Sequence, residues 1–276
     1  MIFTGDAKHA FSGAYPDRPV KLSHHLAQDG FFSLERLADI ATRLPADLVE
    51  YNRGDLPVAQ RPDQTPGNGL GIAETIRSIE ENGSWMVLKN VERDPACASR
   101  LEECLSELAG LIAPASGAMF RKEAFIFISS PNSVTPFHMD PEHNILMQIR
   151  GSKQMRVYPR EGILTAQIHE AYHSKTGHRN LPYEPDFDEG STLFDLAPGD
   201  AVHVPVKAPH WVKNGPEVSI SFSITWRSRL SVAEADLHRM NAWLRQHGMG
   251  LVTGSNARAM RVSAFRALNR AGIITD

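Results

Sequence analysis

TPFHMDPEHNILMQIRGSKQMRVYPR, residues 135–160, sets a histidine and an aspartate two apart, His138 and Asp140, at the head of two strand-like runs. In an extended strand, residues two apart project to the same face. Both side chains can therefore address one point while Met139 turns away. An imidazole and a carboxylate supply a neutral nitrogen and a hard anionic oxygen. A second imidazole would complete a two-histidine, one-carboxylate face with open positions opposite, the donor set typical of non-haem Fe(II) oxygenases. Zinc and manganese accept the same atoms, so donor chemistry narrows the metal without fixing it.

The second imidazole is expected from LAPGDAVHVPVKAPHWVKNG, residues 196–215. Pro198-Gly199-Asp200 reads as a tight turn into a strand, and Pro205 to Pro209 as a constrained return that sets His210 opposite the first two ligands. The competing reading of His210 is a core histidine bonded to backbone. His143 reads as a rim residue, and His203 as a strand residue far from the return turn. His169, His173 and His178 lie in a separate stretch that has neither the cysteines nor the compact spacing of a zinc site.

Outward from these segments, strand-like runs recur at AFIFISS, NILMQIRG, KQMRVYPR, TLFDL, AVHVPV and VSISFSITW, with Pro and Gly between them. The last three have no helix between them, which favours an antiparallel barrel or sandwich over a parallel nucleotide-binding sheet. The pair ILMQIRG-SKQMRVY reads as two adjoining strands turned at Gly151-Ser152. Residues 161–190, rich in His, Tyr, Glu and Asp, are expected to lie over the barrel as a helix and loops.

The flanks read as helices. Ser33 caps a segment with Leu34, Leu37, Ile40, Ala41 and Leu44 on one face, stopped by Pro45. The stretch from Gln60 to Gly71 is a long irregular loop, followed by a short helix over Ile72–Glu81 and a buried strand over Trp85–Val91. Asp94-Pro95 opens a further helix through Leu101, Cys104, Leu105, Leu108 and Leu111. After Trp226, Ser231 with Glu234 makes a capping box ahead of a stripe of Leu237, Met240, Trp243 and Leu244. A last helix is expected over Ser255–Arg270.

The chain of 276 residues is 42% hydrophobic and 22% charged, ordinary for a globular protein with a sizeable core. A net charge of -3 gives no general affinity for nucleic acid or anionic membrane. The C-terminal stretch from Arg227 is locally basic, with eight Arg against three acidic residues. Its arginines Arg258, Arg261, Arg266 and Arg270 come without a nucleic-acid recognition motif. Cys97 and Cys104 lie seven apart, about 10.5 Å along a straight helix, too far for a disulfide. Free thiols, no secretory signal at the N-terminus and no apolar run of membrane-spanning length together point to a cytoplasmic protein.

The run from Thr135 to Arg160, with residues 196–212 and the strand VSISFSITW, resembles the JmjC-type cupin-like Fe(II)/2-oxoglutarate-dependent oxygenases. The pattern is most similar to bacterial cupin-like proteins and the group of the factor-inhibiting asparaginyl hydroxylase. The likeness is specific over residues 119–226 and weak in the N-terminal third. It implies a mainly β fold, a double-stranded β-helix (jelly roll) with an N-terminal α/β elaboration and C-terminal helices. It also implies Fe(II) on His138, Asp140 and His210, with 2-oxoglutarate and O2 as co-substrates and succinate and CO2 released. By the same likeness, Lys153 pairs with the distal carboxylate of 2-oxoglutarate, Thr135 bonds to that carboxylate, and Asn144 lies near the end that chelates iron.

Lys153 also has a physical rationale, since a dianion entering an apolar barrel needs a fixed cation at its far end. Arg150 and Arg156 are the rival cations. The asparagine that some relatives carry in the last strand is replaced here by the region of Ser221, Ser223 and Thr225. The tyrosine that often completes the distal pocket has no assigned counterpart here; Phe125 and Phe127 lie on a fitting strand but bring no hydroxyl.

These expectations divide the chain into residues 1–118, an elaboration integrated with the barrel, 119–228, the catalytic core, and 229–276, a helical extension. Substrates left open are a protein or peptide side chain and a small molecule, with hydroxylation and demethylation both compatible. Two other functions stay open: a cupin metal enzyme that does not use 2-oxoglutarate, and a non-catalytic sensing cupin. The C-terminal helices are expected to form a homodimer contact, with packing on their own chain as the alternative.

Overall fold

A computed structural model describes residues 1–60, 66–251 and 256–274 of the chain. Residues 61–65 of the expected loop, and Ser255 at the expected start of the last helix, lie outside the described residues.

Eleven strands are described, arranged in two antiparallel sheets. They are β1 (Val20–Ser23), β2 (Val49–Arg53), β3 (Ser84–Leu88), β4 (Phe120–Ser129), β5 (Val134–His138) and β6 (His143–Arg150). The remainder are β7 (Lys153–Val157), β8 (Thr192–Leu196), β9 (Asp200–Val204), β10 (His210–Asn214) and β11 (Ser219–Arg227). The larger sheet has the order β1-β9-β6-β11-β4-β3-β2, and the smaller β5-β10-β7-β8. From β4 onward the chain passes back and forth between the two sheets. This winding is the double-stranded β-helix expected from the sequence.

Gly151-Ser152 is therefore not a hairpin. β6 pairs with β9 and β11, while β7 pairs with β10 and β8, so the turn carries the chain from one sheet to the other. Strand-like patterning is silent on which strands pair, because each run reads the same in either sheet.

Among the described residues seven α-helices flank the strands: α1 (Gly5–Ala14), α2 (Leu34–Arg43), α3 (Ile72–Arg77), α4 (Pro95–Ser116), α5 (Ala166–His173), α6 (Arg229–Gln246) and α7 (Ala257–Arg270). Ser33 caps α2 by accepting from the Arg36 N–H, and Asp94 caps α4 by accepting from Ala96 and Cys97. α3 and β3 are both shorter than the sequence suggests, with Val91 entering a 3-10 turn instead. The expected capping box is displaced by one turn. Ser228 is the N-cap and exchanges bonds with Ser231, which frees Glu234 for other work.

Alternation along the strands sorts residues between two interiors. In β11, Ile220, Phe222, Ile224 and Trp226 join Ile126 and Ile128 of β4 and Ile145 and Met147 of β6. That layer packs against Phe11, Leu37, Leu101, Leu105 and Leu108 of α1, α2 and α4. Each large side chain fully buried there contributes about 1.5–3 kcal/mol. The opposite face turns into the barrel, where a smaller cluster of Leu146, Met155, Val157, Val202 and Val212 shares space with polar groups. Cys97 and Cys104 lie buried and unpaired on α4, and burial pushes the Cys97 thiol up to about 12.

The apolar stripe of α6 is covered within the chain. Met240, Trp243 and Leu244 pack with Phe265, Leu268 and Ile274, so it does not need a second chain. Three of the four C-terminal arginines are likewise engaged, Arg266 with Asp236 at 2.7 Å, Arg261 with Asn241 at 2.7 Å and Arg270 with the Arg266 carbonyl at 3.1 Å. Among the described residues no helix is long and apolar enough to cross a membrane.

Gly151 has φ +68°, and a Cβ there would lie 2.5 Å from the Val218 carbonyl oxygen. Replacing it with alanine adds a left-handed strain and a clash with backbone that has no side chain to move aside. Gly151→Ala should lower unfolding free energy by about 2–4 kcal/mol, read as a shift of the urea midpoint. An unchanged midpoint would refute the tight crossing.

Candidate metal centre

His138 ends β5 and His210 begins β10, and the two residues are direct partners in the antiparallel register. Their ring centroids are 4.1 Å apart. Each imidazole is fixed by a carbonyl two residues back on its own chain. His138 Nδ1 meets the Pro136 carbonyl at 2.7 Å, and His210 Nδ1 meets the Ala208 carbonyl at 2.9 Å. A carbonyl only accepts, so Nδ1 carries the proton in both rings and the Nε2 lone pairs are left to face inward. Asp140 Oδ2 lies 3.8 Å from His138 Nε2 and 3.7 Å from His210 Nε2.

Donors around a single first-row ion at about 2.1 Å stand roughly 3.0–3.4 Å apart, so a small inward movement would bring these three onto one ion. Met139 turns away into a cluster with Phe137, Tyr158 and Leu181, as the period of two requires. Burial pushes the His138 pKa down to about 3 and lowers that of His210, so both rings are neutral, the form that ligates. Burial opposes the charge on Asp140, while the guanidinium groups of Arg179 and Arg227 favour it, and the carboxyl sits below its ordinary range. Arg179 reaches Asp140 Oδ1 at 3.4 Å from the excursion that covers the barrel. The three residues expected to hold a metal are thus brought to one point, and the chemistry of the set fits a divalent ion.

Beyond them the barrel encloses a cavity of about 40 Å³ lined by Thr135, Asn144 and Lys153, together with Ser129, Asn214 and the three donors. Lys153 begins β7 and is only 5% exposed. Burial alone pushes its pKa down to about 7, and among the described residues no carboxylate pairs with it. Asn214 lies opposite Lys153 in the register, donates to Ser133, and leaves its buried Oδ1 without a partner. Asn144 accepts from Ser223 at 2.7 Å, so one hydroxyl of the last strand orients it.

The cavity opens to a cleft of about 460 Å³, with which it shares Trp85, Phe127, Thr135, His138 and Asp140. Phe125, Arg179 and Asn180 line the outer part, so the excursion over 161–190 does reach the mouth of the site.

The rivals point elsewhere. His143 Nε2 bonds Ser228 at 2.9 Å, and His203 packs against Phe11 and Tyr15 outside the barrel. Arg150 is exposed, and Arg156 bonds Ser191. Three site residues escaped sequence reading: Ser129, Asn214 and Arg179. Ser129 shares a strand face with Phe125 and Phe127, which was signal enough to find it. Asn214 sits four residues after His210 on the same strand face, a weaker signal. Arg179 had none, because its position depends on how the excursion folds back.

Residues 77–232 match the family model described as a cupin-like domain. Among curated proteins, a lysine-specific demethylase 8 from Danio rerio is 32% identical over 101 residues. That alignment takes in 34% of this chain and only 25% of the relative, about a quarter of its length. Two solved structures of YcfD from Escherichia coli, one described as a ribosomal oxygenase, superpose over nearly the whole chain. They cover 98% and 100% of it and 70% and 69% of their own length, with 16% and 15% identity and TM-scores of 0.53 and 0.51. At such identity the likeness is one of fold, and it agrees with the barrel described above. The match over more than half of the sequence makes the assignment plain: the chain belongs to the cupin-like domain family.

Proposed function

We propose that this protein is an Fe(II)- and 2-oxoglutarate-dependent oxygenase acting on a side chain presented at the outer cleft. One observation carries the reading: a buried lysine, with no carboxylate partner among the described residues, lines the same cavity as two histidines and an aspartate. An ammonium without a counter-ion is costly to bury, so Lys153 is built to receive an anion that arrives from outside. The distal carboxylate of a keto acid is such an anion.

In this reading His138, Asp140 and His210 hold Fe(II), and Lys153 takes the distal carboxylate of 2-oxoglutarate. Thr135 adds a hydroxyl to that carboxylate. Ser223 fixes the Asn144 carbonyl oxygen, leaving the amide N–H groups for the carboxylate nearer the metal. When bound, Fe(II) supplies reductive activation of O2, coupled to decarboxylation of 2-oxoglutarate to succinate and CO2 and oxygenation of a substrate C–H bond. Trp85, Phe125 and Phe127 wall the cleft and keep water from the reacting atoms.

The substrate class we favour is a protein or peptide side chain, because a cleft of about 460 Å³ adjoins the small cavity of about 40 Å³ at the donors. The descriptions of the relatives, a ribosomal oxygenase and a lysine-specific demethylase, support it by analogy. Oxygenation at an N-methyl carbon would release formaldehyde, so the same centre serves hydroxylation or demethylation. A homodimer through the C-terminal helices would have to use their outer faces, where Leu230 of α6 and Met260 of α7 are exposed, since the α6 stripe is already covered.

Incubation with Fe(II), 2-oxoglutarate and a cell extract should yield succinate, and peptides carrying one added oxygen or lacking one methyl. Asp140→Ala should abolish both and weaken metal binding. No succinate with any extract and no keto-acid binding would overturn the reading.

Lys153→Ala should weaken 2-oxoglutarate binding by about 2–4 kcal/mol, roughly 30- to 700-fold, while leaving most of the metal affinity intact. The binding should also depend on pH in one direction. The free lysine titrates at about 7, and the bound carboxylate raises that value, so binding takes up a proton above neutrality. Affinity should be constant below about pH 6 and fall by up to about tenfold per unit as pH rises past 7. Calorimetry across that range, with Lys153→Ala showing no such slope, checks the assignment.

A further inference from the structure

Lys207 lies in the return turn between β9 and β10, three residues before His210. Its φ is +60°, in the left-handed region that favours glycine, yet its side chain is among the largest fully buried ones, at 1% exposure. A glycine would satisfy such a backbone at less cost, so a lysine there is explained only by what its side chain does. The backbone of this turn touches both sides of the metal centre. The Lys207 N–H donates to the Asp140 carbonyl at 2.7 Å, and the neighbouring Ala208 carbonyl fixes His210 Nδ1.

The far end of the side chain reaches a second group of metal-type donors, His169 on α5 with Glu234 and His238 on α6. His169 and His238 stack with centroids 4.4 Å apart, and His173 lies 5.7 Å from His238. Burial pushes the pKa of His169 down to about 3 and that of His173 to about 2, so both are neutral donors. The cation among them belongs to the chain. Lys207 Nζ lies 2.9 Å from Glu234 Oε1 and 3.2 Å from His169 Nδ1, on the lone pairs a metal would use. Although burial works against its charge, His238 and Lys207 hold Glu234 well below the ordinary carboxylate range.

We infer that Lys207 and Glu234 form a buried strut that positions the metal centre. The ammonium, held between Glu234 and His169, fixes the strained return turn, and the turn fixes Asp140 and His210. Neither residue touches the reacting atoms; both are positioning residues. Glu234 lies two residues beyond the segment that matches the cupin-like family model, so the strut ties the C-terminal helix to the barrel's function. The inference rests on the proposed role of His138, Asp140 and His210 as metal ligands.

Co(II) titration of the full chain, followed by calorimetry and by d–d absorption, tests it. The variant Lys207→Met/Glu234→Leu removes both charges and leaves neither buried alone. It should keep its far-UV circular dichroism but bind Co(II) about tenfold or more weakly, with an altered d–d spectrum. Wild-type affinity and spectrum in this folded variant would overturn the strut, even if its melting temperature fell, because an ordinary structural ion pair does only that. Should the double variant not fold, Glu234→Gln keeps the shape and removes the charge, and is read by the same criteria. Failure of the unmutated protein to bind Co(II) is a separate result, which removes the metal centre and the strut with it.

Discussion

Everything at the centre depends on the antiparallel pairing of His210 with His138 across β10 and β5. A shift of one residue would turn His210 to the other face and leave the carboxylate and one imidazole without their third partner. Several local constraints protect that register. Each ring is tied through Nδ1 to its own chain two residues back, and the register shifts between His210 and Val212, which lets His210 keep its place. The return turn is bounded by Pro205 and Pro209, and its backbone bonds to Asp140. The chain's own backbone thus holds the three donors within a small movement of one shared point.

A barrel that reserves its interior for a lysine, asparagines and serines cannot draw its stability from that interior. The alternation of β11 shows how the chain divides the task. Ser219, Ser221, Ser223 and Thr225 turn inward, while Ile220, Phe222, Ile224 and Trp226 turn outward to the N-terminal helices. The inward hydroxyls are matched to amides, Ser221 to Gln148 and Ser223 to Asn144, each at 2.7 Å. Polar burial is tolerated because it is paired, with Lys153 and the Asn214 carbonyl oxygen left open. The N-terminal third thus contributes the large core that permits a functional interior.

The strands, the caps at Ser33 and Asp94, and the histidine-aspartate pair were legible because each follows from local spacing. Lys153, Thr135 and Asn144 were assigned by family resemblance, and all three line the cavity. The sheet exchange at Gly151 was not legible, since pairing is a property of the whole barrel rather than of one strand. Ser231 and Glu234 fit a capping box on spacing, but Ser228 takes the cap three residues earlier and Glu234 is drawn to Lys207. Arg179 and the Lys207 group were hidden for a related reason. Each joins segments separated by long stretches of chain, and only the folded excursion brings them together.

The most direct measurement is an anaerobic crystal structure with Mn(II) and 2-oxoglutarate bound to the full chain. The expected result is one ion within about 2.2 Å of His138 Nε2, Asp140 Oδ2 and His210 Nε2, with 2-oxoglutarate chelating it and its far carboxylate on Lys153 Nζ. An ion held instead by His169, Glu234 and His238, or a keto acid that leaves Lys153 without an anion, would contradict the assignment.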